Sequence, residues 1–334
     1  MGGGALRWGL IGASDIAATR VVPAMRGAGH EVLACVSSSL DHASAYAARN
    51  EIPDATSDLD TMLAREDIDA VYISSINERH RAQAEAAAAA GKHVLCEKPI
   101  ATSLEDAHRV VEACSKAGVV LAVNHHLPGA GTHRTIRELV HGGAIGRVLA
   151  VSVRHAVLLP ERLRGWRLSS GPGAGVVLDI TCHDASVVNP LLRSLAIEAV
   201  ALSARQGPWD SHSEDVAMSV VRYADDVMVQ THDAFTSPYT PTVFEVHGDE
   251  GSIVAADVMT QDPVGQVLLR DKTGTREIDV PDRRPLYDVV LSAFEAAVRG
   301  DGPPTATGED GLRAFAVAAA VLEAATSGRS VPIR

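Results

Sequence analysis

Basic side chains are in the minority in this sequence, and long apolar runs are absent. Lys and Arg number 30 against 42 Asp and Glu, so the formal net charge is −12. Phosphate backbones and anionic lipid attract the opposite charge. No apolar run approaches the roughly 18 residues that a membrane-spanning helix needs. We therefore expect no nucleic-acid partner and no membrane partner.

Cysteine is also scarce. Its four copies, Cys35, Cys96, Cys114 and Cys182, show no CxxC spacing. Scattered cysteines in apolar or helical surroundings are typical of small buried side chains, not of a disulfide framework or a zinc site. The first residues lack a basic region followed by an apolar stretch and a cleavage site, so we expect no export signal. A reducing cytoplasm is the predicted location.

A regular alternation of short apolar runs and longer helical stretches occupies residues 6–124. The chain length predicts two domains, at roughly 100 to 200 residues each. Apolar runs bounded by Gly, Asp or Ser predict buried strands at 6–11, 31–36, 70–74, 93–96 and 119–123. The stretches between them predict helices at 15–28, 41–50, 57–64, 78–90 and 104–117. This order predicts an α/β domain with a doubly wound parallel sheet over residues 1–124.

The pattern changes in the second part of the chain. A predicted helix at 132–141 and a long strand at 147–158 are followed by several strand-like runs between 197 and 280. Two predicted helices, at 286–299 and 309–326, close the chain. Residues 125–334 are thus predicted to form a second α/β domain with a mostly antiparallel, open sheet.

The first predicted strand is followed by GASDIA, residues 12–17, directly before a helix. Backbone N–H groups and the positive end of a helix bind the pyrophosphate of a dinucleotide at such a position. Gly12 permits the tight turn, while Ser14 and Ala17 stand where the glycine fingerprint has its second and third glycines. An ordinary strand-to-helix turn is the alternative interpretation.

Hydroxyl side chains follow the second predicted strand, at Ser37, Ser38 and Ser39, with His42 close behind. An acidic residue at this strand tip would bind the ribose diol of NAD and repel a 2′-phosphate. Serines and an imidazole can instead donate hydrogen bonds to that phosphate. The tip therefore favours NADP, and a solvated polar loop is the alternative.

Polar segments also follow the predicted strands at 70–74 and 93–96. The segment from Ser74 to His80 begins at the end of the first of these strands, and Glu97-Lys98-Pro99 follows the second. Open α/β sheets bind ligands at the carboxyl ends of their parallel strands. The ammonium group of a lysine at this position can bind a substrate oxygen through its positive charge. A surface lysine at a strand end is the alternative.

Asp179 and His183 are four residues apart and would share one face of a helix. A carboxylate beside an imidazole raises the pKa of the imidazole and orients it, as a proton donor to a developing alkoxide requires. A helix-capping aspartate and a structural histidine are the alternative.

Other polar residues of the second half carry weaker patterns. Trp166 and Arg167 can offer a stacking surface and a guanidinium to a polar substrate, or can anchor a loop. His125 and His126 could join His155, Asp179 or His183 as metal ligands, but no ligand spacing such as HExxH is present. We therefore expect no metal.

The motifs GASDIA, NERH (77–80), EKP (97–99), DITCH (179–183) and ATGEDG (306–311) occur in the order typical of the glucose–fructose oxidoreductase and inositol dehydrogenase family, Gfo/Idh/MocA. The sequence resembles this family along nearly its whole length. Longer segments, HVLCEKP, NHHL, GWRL and LDITCHDA, resemble the sugar reductases of the family. The resemblance implies an N-terminal Rossmann domain, an open C-terminal sheet that forms the substrate floor, and a cis peptide at Lys98-Pro99. The sequence departs from those reductases at two positions. His42 takes the place of an arginine, and Pro128 takes the place of the arginine that follows NHHL in them.

The resemblance also implies a role for individual residues. The implied catalytic residues are Lys98, Asp179 and His183, with His183 as the proton donor. The implied substrate contacts are His126, Trp166, Arg167, Asp179 and His183. The implied cofactor contacts are Gly12, Ala13, Ser14, Asp15, Ile16, Ser37, Ser38, His42, Ser74, Asn77, His80, Glu97 and Lys98.

The expected function is that of an NADP-dependent oxidoreductase that reduces the carbonyl of a small, sugar-like molecule by hydride transfer from nicotinamide C4. Homo-oligomers of the chain are compatible with this expectation. One alternative is an NAD-dependent dehydrogenase that oxidises a sugar or inositol hydroxyl. Another, of a different class, is a non-catalytic dinucleotide-binding regulator.

Overall fold

A computed structural model describes residues 5–334 of the chain. It separates into two compact units: one runs to His126 and includes Tyr287–Leu312, and the other comprises Leu127–Leu286 and Arg313–Arg334. The sequence-based division instead assigned everything after residue 124 to the second domain. The two divisions differ at Tyr287–Leu312 because the helix in this segment contributes to the core of the first unit.

The first unit contains a six-stranded parallel sheet with strand order β3-β2-β1-β4-β5-β6. This is the order of dinucleotide-binding sheets, so the predicted doubly wound fold is confirmed. The short edge strand β3 has no counterpart in the predicted strands. The strands are β1 Arg7–Ile11, β2 Glu31–Val36, β3 Asp54–Thr56, β4 Ala70–Ile73, β5 His93–Cys96 and β6 Leu121–Val123.

The helices of the first unit begin and end at local sequence signals. Ser39 Oγ caps α2 and Ser103 Oγ caps α5, which ends at Gly118 in a left-handed conformation. The predicted helix over 15–28 is divided into a π-helical turn, Ala17–Val21, and α1. The helices are α1 Val22–Gly27, α2 Leu40–Arg49, α3 Leu59–Leu63, α4 His80–Ala89 and α5 Leu104–Ala117.

The second unit contains a nine-stranded sheet with order β14-β13-β12-β11-β7-β10-β9-β8-β15. Neighbouring strands in the described chain are antiparallel except β7 and β10, so the predicted mostly antiparallel sheet is confirmed. The strands are β7 Val148–Ala156, β8 Ala196–Ala204, β9 Val216–Tyr223, β10 Met228–Ala234, β11 Val243–Gly248, β12 Gly251–Ala256, β13 Gln266–Asp271, β14 Gly274–Ile278 and β15 Val331–Pro332.

One face of this sheet is buried and the other is open. Val153 and Phe244 face a core that also contains Val188 and Val321, whereas Leu202 of β8 is 76% exposed. Alternation of buried and exposed side chains is what an antiparallel sheet with a single covered face requires. The helices are α6 Gly131–His141, α7 Arg164–Arg167, α8 Cys182–Leu192 and α10 Gly308–Ser327, while α9 Leu286–Arg299 supplies core residues to the first unit.

The four cysteines are buried and none forms a disulfide, as predicted. Burial raises the pKa of the Cys35 and Cys114 thiols to about 11, so both are protonated at neutral pH. Within residues 5–334, no helix combines the length and apolar character needed to cross a membrane.

Candidate active site

The first strand ends at a glycine that no larger residue can replace without a clash. Gly12 follows β1, has a φ of 111° and donates its N–H to Val36 O at 2.9 Å. A Cβ atom on Gly12 would lie 2.7 Å from Ser75 N and 2.8 Å from Ser74 C. The backbone after β4 therefore approaches this turn too closely for a side chain, as a dinucleotide-binding turn requires.

Ser14 organises the same turn. Its Oγ donates to Ser74 Oγ at 2.8 Å and accepts the Ala17 N–H at 3.2 Å, while Tyr46 OH donates to Ser14 O at 3.1 Å. The serine thus caps the first helical segment and links the turn to the end of β4. The structure thus brings together Ser14 and Ser74, two of the predicted cofactor residues. The turn pattern in the sequence indicated only that Ser14 stands at the second glycine position of the fingerprint, and not that it contacts Ser74.

Replacing Gly12 by alanine is expected to lower the free energy of unfolding by more than about 1 kcal/mol and to weaken nucleotide binding. The reasons are the positive φ and the contact of the new Cβ with backbone atoms, which cannot move aside cheaply. Gly91→Ala is the matched control, because Gly91 has a φ of 71° but no atom within 4 Å of its Cβ position. Urea unfolding and nucleotide titration measure both effects. Equal losses of unfolding free energy and of nucleotide affinity in the two variants would show that the close backbone approach at Gly12 affects neither quantity.

Ser37 and His42 form an exposed pair at the end of β2. Ser37 Oγ lies 2.7 Å from His42 Nδ1. Ser39 Oγ accepts the His42 N–H at 3.2 Å, so this serine serves as the cap of α2. The structure therefore brings Ser37 and His42 together at the strand tip, and the side chain directly after β2 is a hydroxyl and not a carboxylate.

A buried histidine joins the loops that follow β4 and β5. His80 Nδ1 lies 2.9 Å from Pro99 O, and His80 Nε2 lies 3.1 Å from Ser75 O. Burial lowers the pKa of His80, although both carbonyl contacts raise it. Asn77 in the same loop is 9% exposed, and its Nδ2 has no hydrogen-bond partner within residues 5–334. His80 thus fixes the two loops, while Asn77 holds a buried amide donor that a ligand can satisfy.

Glu97 receives hydrogen bonds from two neighbouring strands. Tyr72 OH and Asn124 Nδ2 each donate to Glu97 Oε1 at 2.5 Å, and Lys98 N donates to Glu97 Oε2 at 3.3 Å. Burial, together with the Glu97 charge, raises the pKa of Tyr72 well above its ordinary value. Sequence reasoning missed both donors. Asn124 directly follows β6, so the rule that ligand-site residues follow strand ends would have found it, whereas Tyr72 lies inside an apolar strand and has no such signal.

Lys98 follows β5 and is connected to Pro99 by a cis peptide bond, as the resemblance implied. Burial, with a contribution from the Lys98 charge, lowers the pKa of His125 to about 3. The next residue, His126, stacks on Tyr287, with ring centroids 5.2 Å apart. The Lys98 ammonium is thus accompanied by a neutral imidazole at the carboxyl end of the sheet. Tyr287 was not predicted, because nothing in its local sequence connects it with residues far earlier in the chain.

In the second unit, three of the predicted substrate residues form one cluster. Arg167 Nε donates to Asp179 Oδ2 at 2.8 Å, and Asp179 is 4% exposed. The Arg167 guanidinium lies 4.5 Å from the centroid of the Trp166 ring. The contact between Arg167 and Asp179 was not predicted from the sequence. The structure adds a buried ion pair that fixes the carboxylate and the guanidinium relative to each other.

His183 follows a change in helix type. Val177–Thr181, which contains Asp179, is a π-helical turn, and α8 begins after it. Such turns are rare and occur frequently at functional sites. His183 is 7% exposed, and its ring centroid lies 6.2 Å from that of His155. Across the described part of the chain, no group of three or more His, Cys, Asp or Glu side chains is arranged to hold a metal ion.

A parallel sheet of this strand order, with a tight glycine turn after its first strand, is typical of proteins that bind a dinucleotide at the carboxyl ends of the strands. Residues 6–125 match the family model described as "Oxidoreductase family, NAD-binding Rossmann fold", and residues 133–254 match the GFO/IDH/MocA C-terminal domain. The chain belongs to the Gfo/Idh/MocA family, as its sequence motifs predicted.

Curated relatives cover essentially the whole chain. The 1,5-anhydro-D-fructose reductase of Ensifer adhaerens is 47% identical over 328 residues, which is 98% of each chain. The D-xylose 1-dehydrogenase (NADP(+)) 2 of Haloferax volcanii is 27% identical and covers 98% of this chain and 100% of its own. The resemblance to sugar reductases that the motifs predicted is therefore confirmed, and the reductase that the chain resembles here is a 1,5-anhydro-D-fructose reductase.

Solved structures show the same fold. The aldose-aldose oxidoreductase of Caulobacter crescentus superimposes with a TM-score of 0.88 at 22% identity, over 98% of this chain and 99% of that one. A levoglucosan dehydrogenase in complex with NADH and levoglucosan gives 0.88 at 21% identity, over 99% and 100% of the two chains. The protein is an NAD(P)-dependent sugar oxidoreductase, so the alternative of a non-catalytic regulator is set aside.

Proposed function

We propose that this enzyme reduces the carbonyl group of 1,5-anhydro-D-fructose or a closely similar sugar, with NADPH as the reductant. The observation that carries the substrate class is the 47% identity to 1,5-anhydro-D-fructose reductase over 98% of both chains. The segments around the proposed catalytic residues, HVLCEKP and LDITCHDA, contribute to that likeness. The same residues serve the reverse oxidation, so direction is decided by measurement of both reactions.

The residues of the first unit fit a bound dinucleotide. The turn at Gly12 admits no Cβ atom, and Asn77 holds a buried amide donor without a partner in the described chain. A bound NADPH supplies the hydride for the carbonyl carbon. The proposed cofactor contacts remain those predicted from the sequence, with His80 acting through the loops that it joins.

Lys98 and His183 are the proposed catalytic residues. The Lys98 ammonium stabilises the negative charge that develops on the carbonyl oxygen, and the Glu97 contact to Lys98 N holds the backbone that carries it. His183 donates a proton to that oxygen, which completes the hydroxyl group of the product. Asp179, fixed by Arg167, lies four residues before His183 at the start of the same helical segment.

The substrate proposal is tested by following NADPH consumption with 1,5-anhydro-D-fructose, a panel of dicarbonyl sugars and inosose-type ketones. We expect the highest kcat/KM for 1,5-anhydro-D-fructose. Turnover of an inosose alone, or turnover only as NAD-dependent oxidation of a sugar hydroxyl, would contradict the proposal and favour a dehydrogenase.

Ser37 and His42 are proposed to bind the 2′-phosphate of NADPH. Both side chains can donate hydrogen bonds, and no carboxylate directly follows β2 to repel the phosphate. We expect tighter binding of NADPH than of NADH, and we expect Ser37→Asp to reverse the order through charge repulsion and a new ribose contact. Fluorescence titration of both nucleotides into wild type, Ser37→Asp and the isosteric control Ser37→Ala measures this. Equal or tighter NADH binding by the wild type would disprove the assignment.

Two further expectations from the sequence stay predictions. A cytoplasmic location rests on the cysteine pattern, and association of copies rests on the family resemblance. The open face of the second sheet carries exposed apolar side chains, among them Val200, Leu202 and Met218. Light scattering of the purified enzyme measures the oligomeric state.

A further inference from the structure

A group of buried polar side chains surrounds Asp184, the residue that follows His183. Asp184 of α8 is 1% exposed, Asp233 of β10 is 0% exposed and His155 of β7 is 7% exposed. Three elements that are distant in sequence thus place two carboxyl groups and an imidazole inside the second unit. Burial of even one ionised carboxylate costs several kcal/mol unless it is paired, so the arrangement needs a compensating interaction.

The hydrogen bonds of the group account for two of the four carboxyl oxygens. His155 Nδ1 lies 2.9 Å from Asp184 Oδ1. Thr181 Oγ1 donates to Asp233 Oδ2, which Thr231 Oγ1 also reaches at 3.4 Å. No donor within residues 5–334 reaches the other two oxygens, Asp184 Oδ2 and Asp233 Oδ1.

The sheet and α8 bring the two carboxyl groups together: His155, which contacts Asp184, is the register partner of Asp233, and Thr181, three residues before Asp184, donates to Asp233. Each carboxyl group is among the causes that shift the pKa of the other. Two carboxylates in contact inside a protein cannot both be ionised, because like charges repel strongly at low dielectric. Burial raises the pKa of Asp184 to about 7, and burial together with the Asp184 charge raises the pKa of Asp233 well above its ordinary value. A single proton on Asp233 Oδ1, donated to Asp184 Oδ2, satisfies both remaining oxygens.

We propose that Asp233 and Asp184 share one proton, and that the resulting Asp184 carboxylate holds His155 and thereby positions His183 for proton transfer. The part that concerns His183 rests on the proposed function above. Asp184 accepts the His155 Nδ1–H, which fixes the tautomer and the orientation of the His155 ring. That ring lies 6.2 Å from His183, centroid to centroid, at an interplanar angle of 49°.

Titratable groups from four elements surround the two carboxyl groups, and Arg137 of α6 is close enough for its charge to act on His133. His155 comes from β7, Asp233 from β10, and Asp184 and His183 from α8; His133 of α6 lies near enough for the His155 charge to lower its pKa. Burial lowers the pKa of His133 to about 4, so this imidazole is neutral. With one shared proton, the carboxyl pair carries one negative charge. This negative charge lies beside His155 Nδ1, where it stabilises a donated N–H.

The two carboxyl groups are distinguished by isosteric amides. In Asp233→Asn the amide N–H replaces the shared proton as the donor to Asp184, so we expect kcat close to that of the wild type. In Asp184→Asn the carboxylate beside His155 is lost, and we expect kcat to fall on the order of tenfold, as for loss of one charge-assisted hydrogen bond. The KM for the sugar and the affinity for NADPH are expected to stay unchanged in both variants.

The shared proton itself is measured by infrared difference spectroscopy of the full-length enzyme at neutral pH. We expect a carboxylic-acid C=O band in the wild type that disappears in Asp233→Asn. Asp215→Asn is the matched control, because Asp215 is equally buried but accepts N–H groups from Gln206, Gly207 and Trp209. We expect this control to lose stability, to leave the carboxylic-acid band in place and to retain kcat.

The infrared experiment tests the shared proton, and the kinetic experiments test the roles of His155 and His183, so each claim can fail without the other. Absence of the band in the wild type, or its persistence in Asp233→Asn, would overturn the shared proton without reference to any substrate. Equal kcat losses in Asp184→Asn and Asp233→Asn, or no loss in either, would overturn the positioning role. An active His183→Ala variant would overturn the role of His183 as the proton donor, while the infrared result would still decide whether the proton is shared.

Discussion

Replacement of His183 by alanine is expected to lower kcat for carbonyl reduction on the order of 10²- to 10⁴-fold, which is the usual effect of losing a positioned general acid. His183 is buried at the start of α8, directly after the π-helical turn that carries Asp179. The turn at Gly12 is held by hydrogen bonds among residues of the first unit, so NADPH affinity is expected to stay near that of the wild type. Steady-state kinetics and nucleotide titration measure the two quantities.

His141→Ala is the matched control for His183→Ala. His141 Nε2 contacts Leu191 O at 2.9 Å, so this variant removes an imidazole that supports the far end of the same helix. We expect a lower thermal midpoint and an unchanged kcat. If His183→Ala instead kept full activity, or lost activity only through unfolding, His183 would be a structural histidine.

The second large effect is expected for Lys98→Ala, on the order of 10²- to 10³-fold in kcat, because the substitution removes the cation that stabilises the developing oxyanion. Glu97 remains hydrogen-bonded to Tyr72 and Asn124, so the loop after β5 keeps its support. We therefore expect little change in the thermal midpoint. The pKa of His125 should rise, since the Lys98 charge is one of the causes that lower it.

Lys92 provides the matched control at the opposite end of the same strand. Its Nζ donates to Arg65 O at 2.6 Å and to Ile68 O at 2.9 Å, and the residue is 8% exposed. Lys92→Ala is expected to lower stability and to retain kcat, the reverse of Lys98→Ala. Comparable kcat losses in the two variants would argue that Lys98 acts on folding alone.

The Lys98→Ala/His183→Ala double variant tests whether both groups serve one transition state. Residues that act as a unit give losses far smaller than the product of the single losses. We expect this result. A fully multiplicative loss would indicate two independent roles.

Local patterns in the sequence were sufficient to predict the class of fold and the strand ends that carry polar residues. Short apolar runs predicted five of the six parallel strands, and the residues after the first four runs were placed at carboxyl ends, whereas Asn124 after the fifth run was missed. Gly12 was predicted for its conformation, and the structure confirms a φ of 111°. These features depend on the backbone and on neighbours within a few residues, so periodicity and turn chemistry reveal them.

Partners that come from distant strands were not predictable. Asp184 meets Asp233 from β10 and His155 from β7, Glu97 meets Tyr72, and α9 joins the core of a unit whose other elements end at residue 126. Asp184 by itself reads as one more polar residue of a helix. Its chemistry follows only from burial beside a second carboxyl group.

The sequence alone therefore determined that this protein is a two-part α/β chain with a dinucleotide-binding turn, an EKP lysine and a DITCH histidine. Only the tertiary structure decided which charges are paired. It placed Asp179 against Arg167, Ser37 against His42 and Asp184 against Asp233. The physical reason is that helix and strand periodicity is encoded by residues close in the chain, whereas the pKa and orientation of a side chain depend on burial and on neighbours that the topology brings from far away.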